Sequence, residues 1–169
     1  EVCQLLGLDL NTSNNEEVST IYNLDKKRWV SSTQWSMQKY GIAVVNKNGI
    51  DVYTAAKKKA ALIIGEFAYR NTGAYSVKLP KGLTPRDAYA RICRYIRDRY
   101  SIPCVAITGN AGKTTTKDLI SSIFRKKYNT LCVDKNYNTW YTSGEILQNL
   151  NNEHEIYIQE VHEPHAETV

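Results

Sequence analysis

The sequence contains no run approaching the roughly 20 uninterrupted apolar residues that a membrane-spanning helix requires. Its first residues also lack the basic-then-apolar layout of a secretory signal. The expectation is a soluble, cytoplasmic protein with no membrane partner. Cysteine is sparse: Cys3, Cys93, Cys104 and Cys132 lie far apart, with no CxxC pair and no histidine spacing suited to zinc. They are read as reduced, mostly buried thiols behaving as small hydrophobes. An excess of one charge sign is missing too, since 22 Lys plus Arg oppose 17 Asp plus Glu for a net +5 spread along the chain. That balance suits an anionic ligand and does not argue for nucleic acid. With 42% apolar residues, global disorder is not expected, and 169 residues suffice for one ordinary domain or two small ones sharing a linker.

What is present reads as alternating strand and helix. Val2, Leu5, Leu6, Leu8 and Leu10, a polar stretch, then Val18, Ile21 and Leu24 suggest a short helix, a loop and a strand. Ile42-Ala43-Val44-Val45 is an apolar run between Gly41 and the turn residues Asn46-Lys47-Asn48-Gly49, which predicts a buried strand. Residues 51–61 have helical composition and lead into Ala61-Leu62-Ile63-Ile64, a second strand; strand, helix, strand is the unit of parallel sheet. Residues 70–82 hold Gly73, Pro80 and Gly82 and are read as a linker. Thr84-Pro85-Arg86-Asp87 then supplies an N-cap, a proline at the first helical position and an early acid, so a helix over about 85–99 is expected. Arg86, Arg91, Arg94, Arg97 and Arg99 on that helix either form a solvated face or meet an anion.

The chemistry concentrates after Pro103. Cys104 to Thr108 reads as a buried strand, Gly109-Asn110-Ala111-Gly112-Lys113-Thr114-Thr115-Thr116 as a glycine loop, and Lys117 to Phe124 as an amphipathic helix. Such a loop binds phosphate because glycines let backbone N–H groups crowd around an anion while the helix N-terminus adds partial positive charge. Lys113 would supply a point charge for the outer phosphates. Thr114 would hold Mg²⁺ through its hydroxyl, since a hard cation on a nucleotide takes few protein oxygens and keeps several waters. Only two residues separate Gly109 from Gly112, whereas the general nucleotide-binding loop has four between its glycines.

That short form, Thr-Gly-x-x-Gly-Lys-Thr-Thr, resembles the Mur ligase family of ATP-dependent amide-forming enzymes, and within it the D-alanyl-D-alanine-adding branch. The resemblance continues in Asn136-Tyr137-Asn138-Thr139, placed like the family's Asn-x-Asn element after its second strand. Ile156-Tyr157-Ile158-Gln159 runs into Glu160, where the family's next strand ends in a metal-binding carboxylate. His165 lies where the adding branch carries a histidine, and would assist a second metal; a solvated strand end, ordinary turn asparagines and a surface histidine are the alternatives for these positions. At the front of the chain Asn48-Gly49-Ile50-Asp51 and the pair Ala60-Ala61 match the family loosely. The stretch Ser31-Ser32-Thr33-Gln34-Trp35 replaces its Asp-Ser-Arg element, which departs from the pattern for a UDP-sugar, and Asn110-Ala111 departs from the family's usual loop residues.

The resemblance implies an α/β fold: a small N-terminal α/β, substrate-binding-like domain over residues 1–82, then over 83–169 the beginning of a parallel-sheet P-loop ATP-binding domain. It implies a ligase in which a carboxylate acceptor and an amine donor, such as a UDP-muramyl peptide and an amino acid or dipeptide, are joined through an acyl phosphate. ATP and Mg²⁺ are the implied cofactors. Gly109 to Thr115, Asn136 and Asn138 would bind nucleotide, Lys113 and Glu160 would act in catalysis, and Thr114, Glu160 and His165 would hold metal. Three strands fit after the loop begins, against the roughly five or six of open nucleotide-binding sheets, so the rest of the ligase is expected in the same or another chain and the isolated piece is expected not to turn over. A non-catalytic nucleotide-binding module serving regulation or assembly is the alternative; an ordinary phosphotransferase or hydrolytic switch fits Lys113 and Thr114 but not the glycine spacing.

Overall fold

The computed structural model describes residues 6, 30–47, 49–133 and 139–161. By contacts the chain divides into two compact units, Glu1–Ile92 and Cys93–Val169. The division falls inside a helix, ten residues beyond the boundary expected at residues 82 and 83.

In the first unit the strands β1 (Val30–Ser31), β2 (Ile42–Val44), β3 (Leu62–Gly65) and β4 (Tyr75–Lys78) form one all-parallel sheet in that order. The register pairs Ile42 with Val30 on one side and with Leu62 on the other. Val30, Ile42, Ala43, Val44, Leu62, Ile63 and Ile64 are fully buried, which is why these runs are apolar without alternation. Helix α1 (Val52–Lys57) starts at Asp51, whose carboxylate accepts from the Thr54 amide at 2.7 Å and the Thr54 hydroxyl at 3.0 Å. Met37, Ala43, Val45, Ile50, Ala55, Ala60 and Ile63 form the core between that helix and the sheet.

Two expectations are corrected in this unit. The supposed linker contains β4, paired in register with β3 from Leu62–Tyr75 to Gly65–Lys78. Tyr75 and Lys78 are exposed, as an edge strand allows, so the segment shows no apolar run that would mark it as sheet. The helix expected over 51–61 ends at Lys57, because Lys59 takes a left-handed conformation (φ 56°) that cannot continue it.

Helix α2 (Pro85–Asp98) begins as expected: Thr84 and Asp87 exchange hydrogen bonds, the Thr84 amide donating to the Asp87 carboxylate at 3.0 Å and the Asp87 amide to the Thr84 hydroxyl at 3.2 Å. Arg91, Arg94 and Arg99 are exposed, and Arg94 and Arg97 lie 3.7 Å from Asp98, the solvated face of the two readings.

The second unit holds a three-stranded parallel sheet of β5 (Cys104–Ile107), β6 (Thr130–Cys132) and β7 (Ile156–Glu160), with helix α3 (Lys113–Phe124) between β5 and β6 and α4 (Trp140–Leu147) between β6 and β7. The order is β5-β7-β6, so β7 is central and runs beside the strand that precedes the glycine loop. Ile107, Ile156 and Ile158 pack with Ile120 and Phe124 of α3 on one face. Tyr157 and Gln159 alternate to the other face, where Gln159 meets Ser143 of α4.

Here too the structure corrects two readings. β5 is not a buried strand, since Ala106 is exposed and Cys104 and Val105 are half-buried; among the described residues it pairs on one side alone, with β7. Helix α3 is not amphipathic in the ordinary sense: Lys117 and Ser121 are buried while Leu119 and Ile123 are exposed. Lys117 escapes the usual fate of lysine because its ammonium donates to the Val133 carbonyl at 2.5 Å and lies 3.2 Å from Asp118. Cys93 is buried and Cys104 and Cys132 are half-buried, all three as free thiols; Cys3 lies outside the described residues.

Candidate functional site

The turn from β5 into α3 depends on two glycines. Gly109 has φ 139° and Gly112 has φ 75° with ψ 3°, a left-handed residue directly before the first helical turn. A Cβ at Gly112 would meet nothing within 4 Å, so glycine is required for conformation and not for space. No side chain caps this end of α3. The amides of the first turn therefore face outward with the positive end of the helix dipole, the arrangement that receives an anion.

Gly109, Asn110, Ala111, Gly112 and Thr115 are exposed along this turn, and Lys113 and Thr114 are half-buried. The Lys113 ammonium donates to the Gly109 carbonyl at 2.7 Å, which folds the side chain back over its own loop. The charge thus sits beside the outward amides.

Glu160 ends β7 opposite Ile107, the last residue of β5. That register carries the carboxylate to the carboxyl end of the sheet, just where the glycine loop departs, the usual ligand position in open parallel sheets. The Glu160 side chain is 3% exposed and accepts from the Thr114 hydroxyl at 2.8 Å, a bond that joins positions 46 apart in sequence. A hydroxyl and a carboxylate in contact are hard oxygen donors. They fit Mg²⁺ held largely through a nucleotide's phosphates and water, which needs only one or two protein ligands. Among the described residues no group of three or more His, Cys, Asp or Glu converges, as a cation held wholly by protein would require.

The structure therefore brings together Gly109, Asn110, Ala111, Gly112, Lys113, Thr114, Thr115 and Glu160. Asn136, Asn138 and His165 lie outside the described residues. Two residues of this neighbourhood went unread in the sequence. Lys117 stands one helical turn after Lys113, and that i,i+4 spacing was a legible signal of a shared face. Gln159, 2% exposed, carried only the faint signal of an amide among apolar strand residues.

The first unit has a different carboxyl edge. After β1, the Ser36 hydroxyl lies 2.7 Å from that of Ser31 and 2.9 Å from that of Thr33, and the buried Ser32 hydroxyl finds no partner among the described residues. The Ser32 carbonyl accepts from the Asn46 side-chain amide at 2.8 Å and the Ile50 amide at 3.0 Å. A Cβ on Gly49 would come within 2.0 Å of that carbonyl, so the turn closes on this stretch only with glycine. No helix among the described residues is long and apolar enough to cross a membrane.

Residues 107–168 match the family model of the Mur ligase middle domain, which bears out the resemblance drawn from the glycine loop. The UDP-N-acetylmuramoyl-tripeptide–D-alanyl-D-alanine ligase of Buchnera aphidicola subsp. Baizongia pistaciae is 30% identical over 132 residues, 71% of this chain and 26% of that protein. The ligase of the same name from Synechocystis is 35% identical over 74 residues, 44% of this chain and 16% of that protein. Among solved structures, the MurF ligase of Thermotoga maritima in complex with ADP superposes with a TM-score of 0.64 at 23% identity, covering 79% of this chain and 32% of that one. A MurF of Acinetobacter baumannii gives 0.65 at 21% identity over 78% and 30%. These structures bear out the parallel-sheet α/β fold. The chain spans about a quarter of the length of the first of these curated relatives.

Proposed function

We propose that the chain, whose residues 107–168 are of Mur ligase middle-domain type, carries the nucleotide site of an ATP-dependent, amide-forming ligase of the peptidoglycan-precursor class. The second unit would serve ATP and the first the carboxylate acceptor, with a UDP-muramyl peptide and an amino acid or dipeptide as acceptor and amine. In such a reaction an acceptor carboxylate oxygen attacks the γ-phosphorus of ATP, expelling ADP and leaving an acyl phosphate. The amine then attacks the acyl carbon, losing a proton as phosphate departs, and an amide remains.

The chain's own part is placement and charge. The outward amides of the Gly112–Lys113 turn and the Lys113 ammonium would offset the charge of the outer phosphates, where such donors act without reorganising. Thr114 and Glu160 would hold Mg²⁺, and Asn136, Asn138 and His165 belong to the same proposal as nucleotide and metal contacts. Mg²⁺, when bound, would supply positive charge to offset that of the transferring phosphate. The observation that carries this reading is the 2.8 Å bond between Thr114 and Glu160, because it puts a metal-suited oxygen pair at the mouth of the phosphate loop.

A second reading, a nucleotide-binding module without catalysis serving regulation or assembly, is favoured by the hydroxyl cluster of Ser31, Thr33 and Ser36 standing in the stretch where an arginine element would meet a UDP-sugar. Calorimetric titration of Mg-ADP and Mg-ATP separates the possibilities. Saturable binding that weakens in Lys113→Ala, and loses its dependence on Mg²⁺ in Glu160→Gln, is the expected result. Binding indifferent to both substitutions would overturn the phosphate site. Nucleotide binding with no acceptor-dependent phosphate release would favour the module.

A further inference from the structure

We infer that Gln159 is the positioning residue for the Glu160 carboxylate, through a buried hydrogen-bond chain on the face of the sheet opposite the phosphate loop; this rests on the reading of Glu160 as a metal ligand. Gln159 and Glu160 are neighbours on β7, so their side chains leave the sheet on opposite faces. Glu160 reaches Thr114 at the N-terminus of α3, while Gln159 points to α4. The Gln159 amide oxygen accepts from the Tyr157 hydroxyl at 2.5 Å, and its nitrogen donates to the Ser143 hydroxyl at 3.2 Å and to the Glu160 carbonyl at 2.6 Å. All of Gln159's amide valences that these bonds use are out of water: Tyr157 is 1% exposed, Gln159 2% and Ser143 3%.

The ladder shows which way the carbonyl of Glu160 points. The amides of Tyr157 and Val161 donate toward β5, to Pro103 and Ile107, whereas the amide of Ile156 donates to Asn129 beside β6. Alternation along the strand therefore turns the Glu160 carbonyl toward the β6 side. Among the described residues the β6–β7 register runs from Thr130 with Ile156 to Cys132 with Ile158. The Gln159 amide grips the backbone of Glu160 and ties it to Ser143 of α4. Tyr157 fixes which end of the amide points to Glu160, because a phenol hydroxyl donating to the oxygen leaves the nitrogen for the carbonyl. Burial pushes the Tyr157 phenol well above its ordinary value, so it remains a donor across the neutral range.

Outer partners of this kind set a ligand's orientation, and their loss costs roughly ten- to a hundredfold in metal affinity. The test titrates ADP into the full chain at a series of Mg²⁺ concentrations and in EDTA, for the parent, Gln159→Met and Tyr157→Phe, with thermal melts of each. The Mg²⁺ concentration for half-maximal gain in ADP affinity is expected to rise about tenfold in Gln159→Met and by less in Tyr157→Phe. ADP affinity in EDTA should stay within about twofold of the parent, which a general loosening of the fold would not allow. Unchanged Mg²⁺ dependence in both variants overturns the inference, as does an equal loss with and without the metal. If Gln159→Met fails to fold, Tyr157→Phe decides alone, and an unchanged Mg²⁺ midpoint there is again fatal. A parent that binds ADP with no Mg²⁺ dependence removes the Glu160 assignment beneath the inference, an outcome seen before any variant is compared.

Discussion

The two parallel sheets of this chain present contrasting carboxyl edges. In the first unit β1, β2 and β3 are wholly buried and end in hydroxyls and turns, Ser31, Ser32, Thr33 and the Asn46 to Ile50 turn. In the second, β5 is half-exposed, and its edge carries a lysine, a threonine and a buried carboxylate within one constellation. The same strand-helix repeat thus yields a packed scaffold in one place and a charged site in the other. Sheet architecture decides where a ligand would lie, and the few residues after each strand decide what chemistry meets it.

Substitutions should divide along that contrast. The largest effect on stability is expected from Ile63→Ala, which empties a fully buried position of β3 in the core shared with α1 and should cost about 2–5 kcal/mol in a denaturant melt. The same truncation at half-buried Val105 of β5 should cost clearly less; equal losses would erase the distinction between the sheets. Lys113→Ala should leave the melt unchanged and weaken Mg-ADP binding by about ten- to a hundredfold in calorimetry, the loss of a charge-assisted bond worth roughly 1.5–3 kcal/mol. Gly112→Ala should lower stability by about 1–2 kcal/mol, since alanine is strained at φ 75° although space is free. If it melts like the parent, the loop relaxes and glycine is kept there for another reason.

The smallest effect concerns acid. The Thr54 amide holds the Asp51 carboxyl below its ordinary value of 3.8, and the Thr84 hydroxyl does the same for Asp87. A lowered folded pKa means stability that is present above 3.8 and lost as pH falls through the folded value. Both carboxylates are solvent-facing, so screening keeps the contribution small. Both belong to the first unit, and Asp51→Asn with Asp87→Asn should flatten acid melts below about pH 4. An unaltered acid limb in the double variant would show that these caps do not differ between folded and unfolded chains.

Much of the site was legible because its chemistry is local. Gly109 to Thr116 is contiguous, and the glycine positions follow from backbone conformations that few other residues adopt. Glu160 could be named from a strand end and a family resemblance. Its contact with Thr114 could not, because it depends on β7 inserting beside β5 and skipping β6 in the order. Strand β4 was missed because an edge strand with two exposed ends carries no apolar signature. The faces of α3 were misread because periodicity assumes that apolar residues turn inward, whereas Lys117 is drawn in by the Val133 carbonyl.

By itself, then, the sequence determined the strand-helix alternation of a parallel α/β class, the cap at Thr84 and the glycine loop. Each of these rests on neighbours in the chain, through hydrogen bonds and dihedral limits that span four residues or fewer. Tertiary structure alone decided the strand order, the pairing of Ile107 with Glu160 and the grip of Gln159 on the carboxylate's backbone. Those depend on which strand enters between two others, a choice made by packing across the whole unit and recorded in no single stretch of residues.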